Sequence, residues 1–131
     1  MSSAGYSGTP LPQKLGIKPG HRVLLLGAPE GFELAGVQPV RSLRGKADVI
    51  VSFHLERAHL EARMPALREA MVQNAGLWIA WPKKASKVPT DLTENVVRDL
   101  ALANALVDNK VAAIDQVWSG LRLVIRVKDR I

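Results

Sequence analysis

The sequence predicts an α/β fold in three layers, with a mostly parallel sheet that ends in an antiparallel β-hairpin. Two patterns support this prediction. Over the first two thirds of the chain, apolar runs of strand length are separated by helical patterns, which favours parallel strands joined by right-handed crossovers. Near the end, two strand-like segments follow each other with only a turn signal between them, as in a hairpin.

The composition is that of one ordinary domain. The chain has 131 residues, of which 47% are hydrophobic and 23% charged, and it contains no cysteine. The absence of cysteine excludes disulfides, thiolate catalysis and cysteine-based zinc sites. No apolar run approaches the length that spans a bilayer, and no basic head precedes an apolar core at the start. We therefore expect a soluble, cytoplasmic protein without a membrane segment.

The first twenty residues contain seven glycines and prolines. This density disfavours regular structure, because glycine is conformationally free and proline lacks a backbone N–H. We expect an extended N-terminal arm over residues 1–20 and a single α/β domain over residues 21–131. The arm would either strap its own domain or cross to a partner subunit.

Two apolar runs predict the first buried strands. Residues 22–27, "RVLLLG", have the continuous apolar character of a strand that is covered on both faces, and residues 47–53, "ADVIVSF", repeat it. Between them, "APEGFELAG" has room for one short helical turn. The segment "VQPVRSL" predicts a brief strand that Pro39 restricts to a sheet edge.

A helix and a third strand follow. Between residues 56 and 74, apolar residues recur at helical spacing. These residues are Leu60, Met64, Leu67 and Met71. Pro65 lies among them, so we expect a kink or two consecutive helices. In this interpretation "NAG" ends the helix and residues 77–81, "LWIAW", form the strand, with Trp78 and Trp81 on opposite faces of the sheet.

The next helix is predicted from a capping box. Asp91 and Glu94 have the spacing of such a box, and the helix that they open would end near Leu106. Its predicted buried stripe consists of Leu92, Val96, Leu100 and Ala103.

The hairpin is predicted from residues 110–118 and 121–128, with Ser119 and Gly120 as its turn. In the last strand, alternate residues share one face; they are Leu121, Leu123, Ile125 and Val127. Trp118 stands beside the turn. It would be either an exposed anchor for a partner or a residue that closes one end of the core.

Residues 14–32, "KLGIKPGHRVLLLGAPEGF", resemble the opening of class I methyltransferase domains, where a basic-Pro-Gly turn leads into a first strand and a glycine-rich loop. The final strand, helix and hairpin resemble the closing half of the same fold. The resemblance implies a truncated methyltransferase-like, Rossmann-like architecture.

The motifs for S-adenosylmethionine depart from that family. The family's loop has closely spaced glycines, whereas this loop has Gly27 and Gly31 around Pro29, which has no amide donor. The family ends its second strand with an acid, whereas this chain has Arg41 and Arg44 in that region. We therefore predict no cofactor and favour a role without catalysis.

A closer resemblance, over nearly the whole chain, is to an uncharacterised bacterial family that is known only as a domain of unknown function. The strings that carry it are "GYSGTPLPQKLGIKPG", "WPKKAS", "PTDLTE", "LVDNKV" and "WSGLRLV". This resemblance implies no activity.

Ligands of open parallel sheets bind beyond the carboxyl ends of the strands. That places "GAPEGF", "HLERAH" and "WPKKAS" on one rim. Lys83 and Lys84 would form an anion site there with the amides of the helix after Asp91. Alternatively, they are ordinary surface lysines, because Asp91 and Glu94 already occupy that helix end.

Two further residues of this rim are candidates. His54 follows the second buried strand, where α/β enzymes often place chemistry, although a lone histidine is more often a surface residue. Glu30 would be a base or a cofactor contact, or simply the acidic start of a short helix. The three histidines, His21, His54 and His59, lack metal-ligand spacing, so no metal is predicted.

The net charge is +6, and the excess lies in loops and chain ends rather than along one helix face. Our leading hypothesis is a small non-catalytic binding or interaction module whose basic rim takes an anionic small molecule or a protein. The basic residues are Lys83, Lys84, Arg41 and Arg44, with Glu30 and Gly31 shaping the neighbouring loop. One alternative is a cofactor- or nucleotide-binding enzyme that uses "GAPEGF" and His54, and another is a nucleic-acid-binding basic domain. The oligomeric state is open.

Overall fold

The structure, a computed structural model, describes residues 8–131. Its elements in chain order are α1 (Leu11–Lys14), β1 (Val23–Leu26), β2 (Ala47–Phe53), α2 (Arg57–Glu69), β3 (Met71–Pro82), α3 (Glu94–Ala103), β4 (Leu106–Ala113) and β5 (Trp118–Ile125). Short 3₁₀ turns, Lys84–Ser86 and Val127–Asp129, follow β3 and β5. The first seven residues of the predicted arm lie outside the described residues.

The five strands form one sheet in the order β1-β2-β3-β5-β4 across the described part of the chain. Strands β1, β2 and β3 run parallel, and β5 runs antiparallel to both β3 and β4. Helices α2 and α3 cover one face, while the segment around α1 and the connecting loops cover the other. The predicted α/β class, with a parallel sheet that ends antiparallel, is therefore confirmed.

The sheet separates two hydrophobic cores. Ile50 and Trp81 pack on the face of α2 and α3, whereas Val51 and Trp78 pack on the other face. The two tryptophans thus lie on opposite faces, as predicted. The buried indole Nε1 of Trp78 donates to the carbonyl oxygen of Leu15 at 3.0 Å, which ties the segment before β1 to the centre of the sheet.

That segment is more regular than its glycine and proline content predicted. Helix α1 is a single turn with Pro12 near its start, where backbone amides have no helical partner to lose. Leu15 follows it and is only 1% exposed. The division of the chain at residue 20 into arm and domain stays a prediction.

The loop between β1 and β2 contains no helix. Where a helical turn was predicted, the backbone N–H of Phe32 donates to the Pro29 carbonyl in a simple turn. The predicted edge strand is reduced to one parallel bridge between Val40 and Leu24. Its neighbour Pro39 has no N–H with which to extend the ladder, which explains why the pairing goes no further.

Helix α2 is shorter than predicted. It ends at Glu69, and residues 71–76, expected to be helix and its stop, already belong to β3. The buried Met71 pairs with Ala47 of β2, so its helical spacing from Leu67 was coincidental. Pro65 does not divide the helix. It lies on the exposed side, where water can bond to the carbonyl that a proline leaves without its partner.

Helix α3 begins later and ends earlier than predicted. Its N-cap is Thr93, whose side chain accepts from the Val96 amide at 3.2 Å. The Asp91 carboxylate instead accepts from the Arg57 backbone N–H at 2.7 Å, so it caps the first turn of α2. The predicted buried stripe was wrong at two positions, because Val96 is half-buried and Ala103 is exposed. The buried residues of the helix itself are Val97, Leu100 and Ala101.

The hairpin turn lies four residues earlier than predicted. Residues 114–117 connect the strands, and the Asp115 carboxylate accepts from the Val117 and Trp118 amides at 2.8 Å. Ser119 and Gly120 belong to β5. A Cβ at Gly120 would lie 2.9 Å from the Ile114 side chain, so this glycine permits close packing rather than a turn. The last strand ends at Ile125, so Val127, predicted to share a face of this strand with Leu121, lies beyond its end and is exposed.

Candidate functional site

A cleft of about 510 Å³ opens at the carboxyl edge of the sheet, where β1, β2 and β3 all end. We call it the rim cleft. Its lining residues are Gly27, Pro29, Phe53, His54, Leu55, Glu56, His59 and Trp118. They come from the loops after β1 and β2, the start of α2 and the start of β5, so the fold itself brings these separate segments together.

Gly27 is required at the point where β1 meets the rim cleft. Its φ is +68°, a conformation that other residues rarely adopt. A Cβ at this position would also lie 3.0 Å from the carbonyl oxygen of Phe53. The strand end therefore needs glycine both for its backbone angle and for the close approach of the neighbouring chain.

Aromatic rings form one wall of the rim cleft. The rings of Phe32 and Phe53 and those of Phe53 and Trp118 pack edge to face, with centroids 5.0 Å apart in each pair. Such contacts hold the rings in fixed orientations. Trp118 is half-buried, so it closes the end of the core and also faces the cleft.

His54 lies at the floor of the rim cleft and is only 3% exposed. A lone histidine is more often a surface residue, so this burial differs from the commoner case. Its Nε2 is 2.7 Å from the Ser52 hydroxyl, and its Nδ1 is 3.0 Å from Nδ1 of His59. Burial, then the neighbouring His59 and Arg63, lower the pKa of His54 from 6.5 to about 4. The ring is therefore neutral at physiological pH.

The structure brings only some of the sequence candidates together. Gly27 and His54 line the rim cleft, whereas Glu30 and Gly31 are exposed in the turn beyond Pro29 and do not line it. Arg41 is exposed after the Val40 bridge.

Arg44 lies at the amino edge of the sheet, where β1 and β2 begin. Its carbonyl accepts from the Arg22 guanidinium at 2.8 Å, and it lines a separate cavity of about 360 Å³ with Lys46 and Glu69. Arg44 and His54 are therefore at opposite ends of the sheet.

Lys83 and Lys84 follow β3 at the carboxyl edge, on the rim that the sequence indicated, but neither lines the rim cleft. The Lys83 amide donates to the Val117 carbonyl at 2.7 Å, and Lys84 begins a 3₁₀ turn and is exposed. The amides of α3 do not meet Asp91, because Thr93 caps that helix.

The partners of His54 were not predicted from the sequence. Ser52 and His54 are two apart along an extended strand end, which places both side chains on one side, and that signal was available. His59 lies in the first turn of α2. Its approach to His54 depends on how the chain turns at Leu55 and Glu56, and no local sequence pattern predicts that turn. Phe53 and Trp118 also converge only through the strand order.

No helix of residues 8–131 is long and apolar enough to cross a membrane. Within the same residues, no group of three or more histidine, aspartate or glutamate side chains is arranged to hold a metal ion.

No protein-family model and no curated protein matches this sequence. Among solved structures, the chain is similar to a ribosomal protein L11 methylase from Lactobacillus delbrueckii subsp. bulgaricus, with 12% identity and a TM-score of 0.57 over 88% of this chain and 74% of that one. It is also similar to LepI in complex with SAM, with 12% identity and a TM-score of 0.58 over 88% of this chain and 39% of that one.

A third similar structure is magnesium protoporphyrin IX methyltransferase from Synechocystis PCC 6803 with bound SAM, with 16% identity and a TM-score of 0.52 over 70% of this chain. The match spans 48% of that methyltransferase, or about half of its length. At these identities the likeness concerns the fold alone. The fold therefore resembles a truncated methyltransferase of Rossmann-like architecture.

Proposed function

We propose that this domain binds a small organic molecule in the rim cleft and acts as a binding module of methyltransferase-like fold rather than as a methyltransferase. The observation that supports this most is the position of the cleft, because open parallel sheets take their ligands beyond the carboxyl ends of their strands. Its volume of about 510 Å³ also lies within the range of small-molecule sites, about 300 to 1,000 Å³.

The lining favours a ligand with a flat aromatic ring. Phe53 and Trp118 offer ring surfaces in fixed orientations, against which a flat group can stack. Similar structures were solved with SAM or SAH bound. We therefore propose an adenosine-type ligand, with S-adenosylhomocysteine as the first compound to test.

A role without methyl transfer is supported by the departures in the loop after β1. Pro29 lines the rim cleft and has no amide to offer a ligand. Residues Arg41 and Arg44, found where the family has an acid, do not face the cleft. The alternative of a cofactor- or nucleotide-binding enzyme would use the same cleft with His54, and turnover of a bound compound would distinguish it.

A second candidate function is recognition of an anionic group, on a small molecule or a protein, by Lys83 and Lys84. Pro82 pairs with the cleft residue Trp118, so the two lysines begin beside the aromatic wall. An adenosine-type ligand that carries phosphates could then occupy both places. Nucleic-acid binding and a place in an uncharacterised bacterial family are weaker proposals that rest on the net charge and on the sequence strings.

A thermal-shift panel tests these proposals, because a ligand that binds only the folded state raises the unfolding midpoint. We expect S-adenosylhomocysteine and adenosine nucleotides to raise it, and Gly27→Ala to abolish that shift. Gly31→Ala is the matched control, since Gly31 also has a positive φ but nothing lies within 4 Å of a Cβ there. A shift with simple phosphate alone would favour the lysines. No shift with any of the compounds would contradict a small-molecule site.

A further inference from the structure

We infer that His54 and His59 form a two-imidazole site for a divalent transition metal ion at the floor of the rim cleft. The structure places Nδ1 of one ring 3.0 Å from Nδ1 of the other. Imidazole nitrogen is a ligand that suits zinc, copper and nickel. This inference concerns the protein without an organic ligand, so it can fail or succeed independently of the proposed function.

The separation of the two nitrogens suits a shared ion. Metal–nitrogen bonds are about 2.0 to 2.1 Å long, so one ion can reach both Nδ1 atoms at an angle of about 95°. That angle is close to the geometry of a tetragonal copper or nickel site, and a slight opening makes it tetrahedral for zinc. His59 is exposed and can rotate to open the angle.

Ser52 supplies the supporting contact that metal-binding histidines commonly have. Such a histidine usually donates its other ring N–H to an oxygen, which fixes the tautomer and the ring orientation. The Ser52 hydroxyl is 2.7 Å from Nε2 of His54, and both residues are buried. With its proton on Nε2, His54 presents the lone pair of Nδ1 toward His59, whose Nδ1–H donates to it when no ion is bound. A shared ion takes the place of that proton, which moves to Nε2 of His59 or is released.

The rim cleft supplies the remaining coordination positions. Both histidines line it, and no third acidic or histidine side chain of the described residues completes a closed group with them. Water or a ligand in the cleft would therefore fill the open positions, as in catalytic rather than structural metal sites.

Two charged residues bias the site in opposite directions. Glu56 also lines the rim cleft, and its negative charge favours a cation. The positive charge of Arg63 acts on the His54 ring and opposes one. Arg63→Gln should therefore tighten binding by about threefold, and Glu56→Gln should weaken it by a similar factor.

Calorimetric titration of the full chain with Zn²⁺ or Cu²⁺ alone tests the inference. We expect one ion per chain, with Cu²⁺ bound more tightly than Zn²⁺ and Mg²⁺ not bound, following the usual order of affinities for nitrogen sites. The electron paramagnetic resonance spectrum of the Cu²⁺ form should show coupling to imidazole nitrogen.

His59→Gln should weaken binding at least tenfold, and His54→Gln should do the same. His21→Gln is the matched control, because His21 stands before β1 at the amino edge, where its Nδ1 accepts from the Lys18 amide. Since His59 is exposed, its variant should fold even if the His54 variant does not. Binding that survives His59→Gln, or that is lost in His21→Gln, would overturn the inference, as would the absence of any binding.

Discussion

The two edges of the parallel part of the sheet are built differently. At the amino edge, charged groups bond to the backbone: the Arg22 guanidinium donates to the carbonyls of Arg44 and Lys46, and the Asp48 carboxylate accepts from the Arg22 amide. At the carboxyl edge, aromatic rings and a histidine pair surround a cleft. Polar side chains therefore fix the backbone at one edge, whereas at the other they are positioned around open space.

The largest expected difference between the edges is a pH dependence that comes from His54. Its pKa is lowered from 6.5 to about 4 in the folded protein, so between these values the unfolded chain binds the extra proton. Stability is therefore full above pH 6.5 and decreases as the pH falls toward 4, by up to about 3 kcal/mol.

Urea unfolding at several pH values, with a chelator present, measures this loss. The comparison is with His54→Gln, which removes the titrating group, and the difference between the two curves isolates His54 from the carboxylates. Parallel curves between pH 6.5 and 4 would show that the ring titrates normally in the folded protein.

The next largest effect on stability is expected at Gly27. We expect Gly27→Ala to lower the free energy of unfolding by about 2 kcal/mol. The alanine would have to adopt a positive φ, and its Cβ would lie 3.0 Å from the Phe53 carbonyl oxygen. Gly31→Ala should cost only the backbone part, about 1 kcal/mol. Equal losses in the two variants would mean that the approach of Phe53 to Gly27 is not tight.

At the amino edge, Arg22→Gln should lower the free energy of unfolding by about 1 to 2 kcal/mol, because two charged hydrogen bonds to carbonyls are lost. Binding in the rim cleft should be unchanged, since Arg22 is at the other end of the sheet. Arg44→Gln keeps the carbonyl that accepts from Arg22 and serves as the control, with a change below about 0.5 kcal/mol. A change in ligand affinity in Arg22→Gln would contradict the separation of the two edges.

The smallest effect on stability is expected at the lysines of the carboxyl edge. The double variant Lys83→Gln, Lys84→Gln should unfold within about 0.5 kcal/mol of the unchanged protein, because Lys84 is exposed and the bond to Val117 comes from the Lys83 backbone. Its affinity for phosphate-bearing ligands should fall, as measured by the same thermal-shift panel. Unchanged affinity for those ligands would remove the lysines from the site.

Much of the fold could be predicted from the apolar runs, because strands buried on both faces need continuous apolar residues. Boundaries failed where a residue fitted two patterns. Met71 continues the spacing of α2 but pairs with Ala47 in the sheet, and Asp91 has the spacing of an N-cap but caps α2 instead. Only packing between distant segments distinguishes these alternatives.

The candidate site was predictable in position but not in composition. The rule for parallel sheets indicated the rim of Gly27 and His54, and both line the cleft. Trp118 reaches it only because β5 inserts between β3 and β4, so that the hairpin turn arrives at the same edge. Strand order is a property of the whole chain, and no local pattern contains it.

The three tryptophans allow the most direct test of the rim cleft as the binding site. Trp118 lines it, whereas Trp78 is buried with its indole bonded to Leu15, and Trp81 packs on the opposite face. Two-dimensional ¹H–¹⁵N spectra recorded during a titration with S-adenosylhomocysteine would follow all three indole N–H signals separately. We predict that the Trp118 signal moves progressively while the Trp78 and Trp81 signals stay in place. A titration that leaves the Trp118 signal unmoved, or that moves only signals from the amino edge, would contradict the account.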